Sequence, residues 1–363
     1  MTDLPLIVYV SFLVLISAGL FLIEIVKRLE RRSTPDSAGS MPEGRVLVMV
    51  PCRGHDITLR ENLLSLKNQD HPSFDLVAIV DSPEDVALEA IREAGITHIV
   101  SDVSCSRCSG KVRALSSAIH RFPDYGIYVI ADSDATFSGE WLRTLTGPLA
   151  NPRYGLSTTF PVFVPIGGFW SRVKMVWGFV GNSMMESRIT RFGWGGSLAF
   201  RKSLIDNGNL DLFSESVSDD TALTHFSSNA GLDIAYCDRE LVTVKSRETA
   251  GSFFEWSNRQ TALAISGSSR LYGLGLAYYS ARLLLFLSSI LLTVFVSPVA
   301  LLLLFPYATG IARIYRRSGS WDPAIIPIYL STDVLYIANL LKAKRMTKIV
   351  WRGREYSLGS EGS

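Results

Sequence analysis

Leu4–Val26 is an apolar run of about 20 residues, long enough to cross the hydrocarbon core of a bilayer as one helix. Glu24 is its only charge, and Lys27, Arg28, Arg31 and Arg32 follow at once. A secretory signal peptide carries its positive charge ahead of the apolar stretch, whereas here the charge comes behind it. The run therefore reads as an uncleaved transmembrane helix over 1–27 with its Lys/Arg-rich end in the cytoplasm, a signal peptide being the competing reading. Ser33–Glu43 is rich in Ser, Pro and Gly, so 28–43 reads as a linker.

The apolar density returns after residue 265. Leu276–Ile314 has Arg282 as its one charge before Arg313, and Ser297–Pro298 interrupts it near the middle. That length accommodates two helices with the Ser-Pro as a turn. Ile325–Leu341 is weaker, broken by Pro327 and Asp333 and followed by Lys342, Lys344, Arg345 and Lys348. A span and a buried or interfacial helix fit it equally. The expected C-terminal membrane region is 266–345, with two spans and a third apolar or interfacial helix, followed by a cytoplasmic tail over 346–363. A hydrophobic fraction of 47% and a mean hydropathy of +0.22 agree with a multi-pass membrane protein. The net charge of +2 carries no nucleic-acid footprint, and the basic residues beside the apolar ends suit the cytoplasmic leaflet. Cys105 and Cys108 are spaced as a redox pair or half a zinc site, but no second pair completes one. They read, with Cys52 and Cys237, as reduced thiols.

Between these segments, 44–265 has the charge and alternation of a globular domain, with 250–265 as an interfacial segment. Val46–Val50, Leu76–Val80, Ile96–Val100 and Ile127–Asp132 are strand-like runs, and Ile57–Lys67 and Gly110–His120 have helical spacing between them. Strands alternating with helices predict a mostly parallel sheet covered on both faces. Ligands bind at the carboxyl ends of such strands, so Pro51–Gly54, Asp81 and Asp132–Asp134 are expected to converge. Asp132 and Asp134, two residues apart in extended chain, point to one side and can hold a hard divalent cation. An isolated Asp-x-Asp is more often an ordinary strand end, and Asp81 alone is more often a turn or capping residue. Lys111 or Arg113 could balance phosphate charge.

Gly193–Ser197 is glycine-dense around Trp194, a combination that lets backbone approach a ligand and an indole cover a sugar ring. Asp219 and Asp220 precede a helix-like segment, where an acid either caps the helix or, over a cleft, takes a proton from an acceptor hydroxyl. Phe253–Gln260 clusters aromatics around Arg259.

In order, PCRG at 51–54, NQDHP at 68–72, VDS at 80–82, ADSDA at 131–135, WGGS at 194–197, SDDTALT at 218–224, WSNRQ at 256–260 and the tail Trp351–Tyr356 resemble the family 2 glycosyltransferases of GT-A fold. The resemblance is closest to their membrane-bound, ceramide glucosyltransferase-like branch and covers nearly the whole chain. It implies a Rossmann-like α/β catalytic domain flanked by N- and C-terminal transmembrane helices, and an inverting hexosyltransferase. The implied donor is a UDP-sugar, UDP-glucose or another UDP-hexose, and the implied acceptor a ceramide-like or other membrane lipid. Pro51, Arg53, Asp81, Lys111 and Asp132 would contact the nucleotide sugar, and Asp132 and Asp134 would hold Mg2+ or Mn2+. Asp220 would be the general base with Asp219 supporting it. Trp194, Gly195, Gly196, Trp256, Arg259 and Gln260 would meet acceptor or diphosphate. The sequence departs from the family's QxxRW pattern, with Trp256 in place of Gln and Gln260 in place of Trp. The rival readings are a processive polysaccharide synthase of the same superfamily, a nucleotidyltransferase, and a non-catalytic membrane-anchored nucleotide-sugar-binding protein.

Overall fold

The computed structural model describes residues 4–32, 41–54, 58–239, 241–266, 269–351 and 354–358. Half of the expected linker (33–40), Ile57 and Arg352–Gly353 of the tail motif lie outside the described residues. Helix α1 (Leu4–Arg32) precedes an alternating series: β1 (Val46–Cys52), α2 (Leu59–Lys67), β2 (Asp75–Val80), α3 (Ala87–Glu93), β3 (Thr97–Val100), α4 (Gly110–Arg121) and β4 (Ile127–Ala131). There follow β5 (Thr136–Phe137), α5 (Trp141–Thr146), β6 (Tyr154–Thr158), β7 (Val162–Pro165), α6 (Phe169–Glu186), β8 (Ser197–Arg201), α7 (Asn209–Ser214), α8 (Asp219–Asn229), β9 (Asp233–Tyr236) and β10 (Val242–Ser246). The chain ends with α9 (Ala250–Ser266), α10 (Ser269–Phe295), α11 (Phe305–Ser318), α12 (Ile325–Ala343), β11 (Lys348–Trp351) and β12 (Arg354–Ser357).

The main sheet has seven strands in the order β3-β2-β1-β4-β8-β6-β9. Every neighbouring pair is parallel except those made by β8, which runs against both β4 and β6. Central strand β4 is buried along its whole length, as expected of an Ile/Val-rich strand covered on both faces. One apolar layer packs α2, α3 and α5 on one face and the other packs α4, α7 and α8 on the opposite face. Because β4 and β8 pair antiparallel with Ala131 opposite Ser197, the carboxyl end of β4 lies beside the amino end of β8. That single pairing brings ADSDA and WGGS together.

Among the described residues, four helices are long and apolar enough to cross a membrane: Leu4–Arg31, Arg270–Phe295, Pro298–Ser318 and Ile325–Ala343. Ser297–Pro298 does mark the turn between the second and third, where Ser297 Oγ accepts from the Val299 N–H at 3.3 Å. The charge that interrupts the last helix has a partner: Asp333 accepts from Arg282 Nε at 2.8 Å, and Tyr329 and Tyr307 close around the pair. Arg313 bridges Glu24 of α1 and Glu186 of α6, while Arg31 reaches Asp238 at 3.0 Å. These ion pairs fix the apolar helices against the α/β domain.

Two expectations change. Cys105 and Cys108 form a disulfide rather than staying thiols, because the loop after β3 holds their Cα atoms 5.8 Å apart, inside the normal span of such a bond. Lys348–Trp351 and Arg354–Ser357, within the stretch expected as a tail, are strands that pair antiparallel.

Candidate active site

The carboxyl ends of β1, β2 and β4 converge, as their parallel pairing requires. Arg53 Nε lies 3.5 Å from Asp81 Oδ2, and Pro51, Arg53, Asp81, Asp132 and Asp134 all line one cavity of about 1680 Å3. The loop carrying the two aspartates is braced from below. Asn62 of α2, 1% exposed, donates to the Ser133 carbonyl at 2.9 Å and accepts from Thr136 Oγ1 at 2.7 Å.

Lys111 occupies a position that the sequence pattern did not reveal. It sits in the first turn of α4, a helix capped by Ser109, whose Oγ accepts from the Val112 N–H. Its Nζ lies 2.7 Å from Asp132 Oδ1 and 3.2 Å from Asp219 Oδ2, and it donates to the Gly195 carbonyl at 3.0 Å. The ammonium is thus caged by carboxylates, one of them the first acid of the Asp-x-Asp pair. Burial works against its charge, but attraction to Asp132 and Asp219 exceeds that penalty and holds its pKa above the usual value. Burial pushes the Asp219 carboxyl up to about 6, with Lys111 opposing and repulsion from Asp220 and Asp132 adding to it.

Asp219 and Asp220 open α8, yet their surroundings differ. Asp219 is 4% exposed and stands behind the cavity wall, whereas Asp220 lines the cavity. Asp220 Oδ1 accepts from Ser218 Oγ and from the Thr221 N–H, and its Oδ2 accepts from the Gly195 N–H at 3.2 Å. Every one of these bonds fixes the carboxylate's direction. Gly195 is required here: a Cβ would stand 2.4 Å from Asp219 Oδ2 and 3.0 Å from Lys111 Nζ. A Cβ on Gly196 would collide with the Trp194 ring, so the second glycine lets the indole fold over its own backbone. Trp194 lines the cavity against Phe160, with ring centroids 5.8 Å apart, while Gly195 and Gly196 serve from behind.

Trp256, Arg259 and Gln260 of α9 also line the cavity. Trp256 is packed edge-on against Phe163 and Trp177, with Lys174 Nζ 4.6 Å from its ring centroid. Lys174 is itself held by Glu248 at 2.6 Å. Asn62, Lys174, Thr158 and Thr224 were not legible as site residues; Thr158 and Thr224 hold the N–H groups of Trp194 and Gly193 through side-chain oxygens. Arg113, weighed as a phosphate partner, instead donates to the Ser101 carbonyl at 2.8 Å and braces the end of β3.

Among the described residues no group of three or more His, Cys, Asp or Glu is placed to hold a metal ion. Two carboxylates nevertheless fit a hard cation of the Mg2+ or Mn2+ kind, which commonly takes one or two protein carboxylates and completes its shell with phosphate oxygens and water.

The family model described as "Glycosyl transferase family 21" matches residues 9–363. The chain belongs to glycosyl transferase family 21. The expected ceramide glucosyltransferase-like character is met by that match, and the protein is a glycosyltransferase. No curated protein matches it. Among solved structures, the mannosyltransferase PcManGT from Pyrobaculum calidifontis, in complex with GDP-Man and Mn2+, is 18% identical with a TM-score of 0.56. That likeness covers 92% of this chain and 98% of the mannosyltransferase, and it supports an α/β, GT-A-like fold with a mostly parallel sheet for the family 21 enzyme. Glucosyl-3-phosphoglycerate synthase from Mycobacterium tuberculosis, in complex with phosphoglyceric acid, is 16% identical with a TM-score of 0.40 over 64% of this chain and 81% of its own.

Proposed function

We propose that this family 21 enzyme moves a hexose from a UDP-sugar to the hydroxyl of a ceramide-like or other membrane lipid, inverting the anomeric centre. One observation carries the lipid reading. The cavity that holds Asp81, Asp132, Asp134 and Asp220 is also lined by Ile16, Gly19, Leu20 and Ile23 of α1 and by Leu271, Leu274 and Tyr278 of α10. The reacting hydroxyl and its apolar chains can therefore lie in one continuous space, the headgroup at the carboxylates and the chains against helices suited to a bilayer.

In this reading Asp81 and Arg53 receive the nucleotide, and Asp132 and Asp134 hold Mg2+ or Mn2+. When bound, the cation supplies charge neutralisation for the departing diphosphate. Lys111 holds Asp132 and Asp219 in place and adds fixed positive charge beside them. Asp220, aimed by Ser218, Thr221 and Gly195, takes the acceptor proton as the acceptor oxygen bonds to the anomeric carbon. The bond from that carbon to the diphosphate breaks on the opposite side, so the configuration inverts. Trp194 covers the sugar, and Trp256, Arg259 and Gln260 of α9 border the acceptor. GDP-Man and Mn2+ in the archaeal mannosyltransferase support the choice of a nucleotide sugar and a divalent cation. The Lys/Arg-rich end of α1 supports a cytoplasmic active site.

The test is Asp220→Asn in detergent-purified protein. Turnover is expected to fall about 1,000-fold or more while UDP-sugar affinity stays within about threefold of wild type. Equal loss of binding and turnover would overturn the assignment of the base.

A further inference from the structure

The C-terminal hairpin is built into the catalytic domain. Its strands β11 and β12 pair from Lys348↔Ser357 to Trp351↔Arg354, and the Leu358 N–H closes the open end on the Thr347 carbonyl at 2.8 Å. Ile349 is 1% exposed and clusters with Ala262 of α9 and Ala343 of α12, with Tyr356 packed alongside. Anchored there, the hairpin reaches the carboxyl edge of the sheet. Arg354 Nη2 lies 3.6 Å from Asp81 Oδ2, and Tyr356 Oη accepts from the Gly110 N–H at 3.4 Å. Tyr356 lines the same cavity as Asp81 and Lys111. Asp81 Oδ2 is buried between two guanidiniums, Arg53 at 3.5 Å and Arg354 at 3.6 Å, yet it accepts no hydrogen bond among the described residues.

We propose that this hairpin clasps the donor, with Arg354 binding the phosphates of a nucleoside diphosphate. The proposal rests on the reading of Asp81 as the nucleotide contact. Arg354 sets a second guanidinium beside Asp81, a group that suits a diphosphate. A guanidinium binds phosphate through paired, charge-assisted hydrogen bonds, a geometry that the long contact to Asp81 does not supply. When Arg354 turns to phosphate, Asp81 Oδ2 is left to accept from the nucleoside. Tyr356 keeps the hairpin on Gly110, so the exchange needs rotation of one exposed side chain and no movement of the strands.

The test is the affinity of the full-length, detergent-purified chain for UDP and for uridine, each with Mn2+, in wild type, Arg354→Ala, Arg354→Lys and Asp81→Ala. Arg354 is on the surface, so the variants are expected to fold, and thermal unfolding checks this. Arg354→Ala should weaken UDP about tenfold, the loss of one charge-assisted phosphate contact, and leave uridine unchanged or slightly tighter. Arg354→Lys should recover part of the UDP loss. Asp81→Ala should weaken both ligands. UDP affinity that is unchanged or tighter in Arg354→Ala, with Asp81→Ala still weak, would overturn the clasp and leave the donor site standing. Unaltered affinity in Asp81→Ala would overturn the nucleotide reading itself.

Discussion

Two of the buried cation–carboxylate clusters in this protein are put to opposite uses. In the apolar helices, Arg282 and Asp333 meet at 2.8 Å, Arg282 also donates to Tyr329 Oη, and Tyr307 Oη donates to Asp333. Arg282 is 7% and Asp333 0% exposed. At the end of β4, Lys111 is likewise shared between Asp132 and Asp219, but Asp132 and the neighbouring Asp220 stay on the cavity wall. Neither member of the first pair lines the carboxylate cavity, and the pair ties α10 to α12. The second leaves acids facing a space that admits a substrate. Burial and pairing alone would not tell structure from function; access to the cavity does.

Substitutions should separate the two clusters. Asp333→Ala leaves Arg282 charged in an apolar environment, which costs about 3–5 kcal/mol, so loss of folded protein on size-exclusion and a sharply lowered unfolding temperature are expected. Gly195→Ala should behave differently. Its Cβ presses on the Lys111–Asp219 pair and displaces the Gly195 N–H that aims Asp220, so kcat should fall about 10- to 100-fold with little change in unfolding temperature. If Gly195→Ala instead unfolds the protein while Asp333→Ala leaves it intact and inactive, the contrast is inverted and the account fails.

The smallest effect is expected farthest from the chemistry. No described atom lies within 4 Å of the place where a Cβ would stand on Gly19, a cavity-lining residue of α1. Gly19→Trp should therefore fold normally and crowd the apolar part of the cavity. It should raise the apparent KM for a long-chain lipid acceptor about tenfold while leaving UDP affinity unchanged. Unaltered lipid kinetics would remove α1 from the acceptor path.

What was legible in the sequence follows the range of the interactions involved. The strands β1 to β4, helices α2 and α4 and the Ser297–Pro298 turn are set by local periodicity and turn chemistry and were expected within a few residues, whereas the short α3 was not. The convergence of Arg53, Asp81 and Asp132 follows from parallel pairing of those strands. By contrast, Asp333 and Arg282 appeared only as two interruptions of apolar runs, because nothing local says that residues 51 positions apart fold together. Lys111 was noticed as a cation for phosphate; its cage depends on β8 and α8 returning to β4 from later in the chain. Asn62 and Lys174 carry no local motif, and only tertiary contact gives them roles. The disulfide joins cysteines three apart, yet spacing alone did not distinguish it from a pair of thiols.

The central claim is that the carboxylates and the bilayer-facing helices form one site. Its most direct test is UDP release from a panel of UDP-hexoses by the purified chain, with Mn2+ or Mg2+, with and without added membrane lipid. The account predicts release from one donor that needs the cation, rises several-fold or more with lipid, and transfers the sugar to a lipid hydroxyl. Cation-dependent release that is indifferent to lipid, with sugar passing only to water or to soluble acceptors, would contradict it.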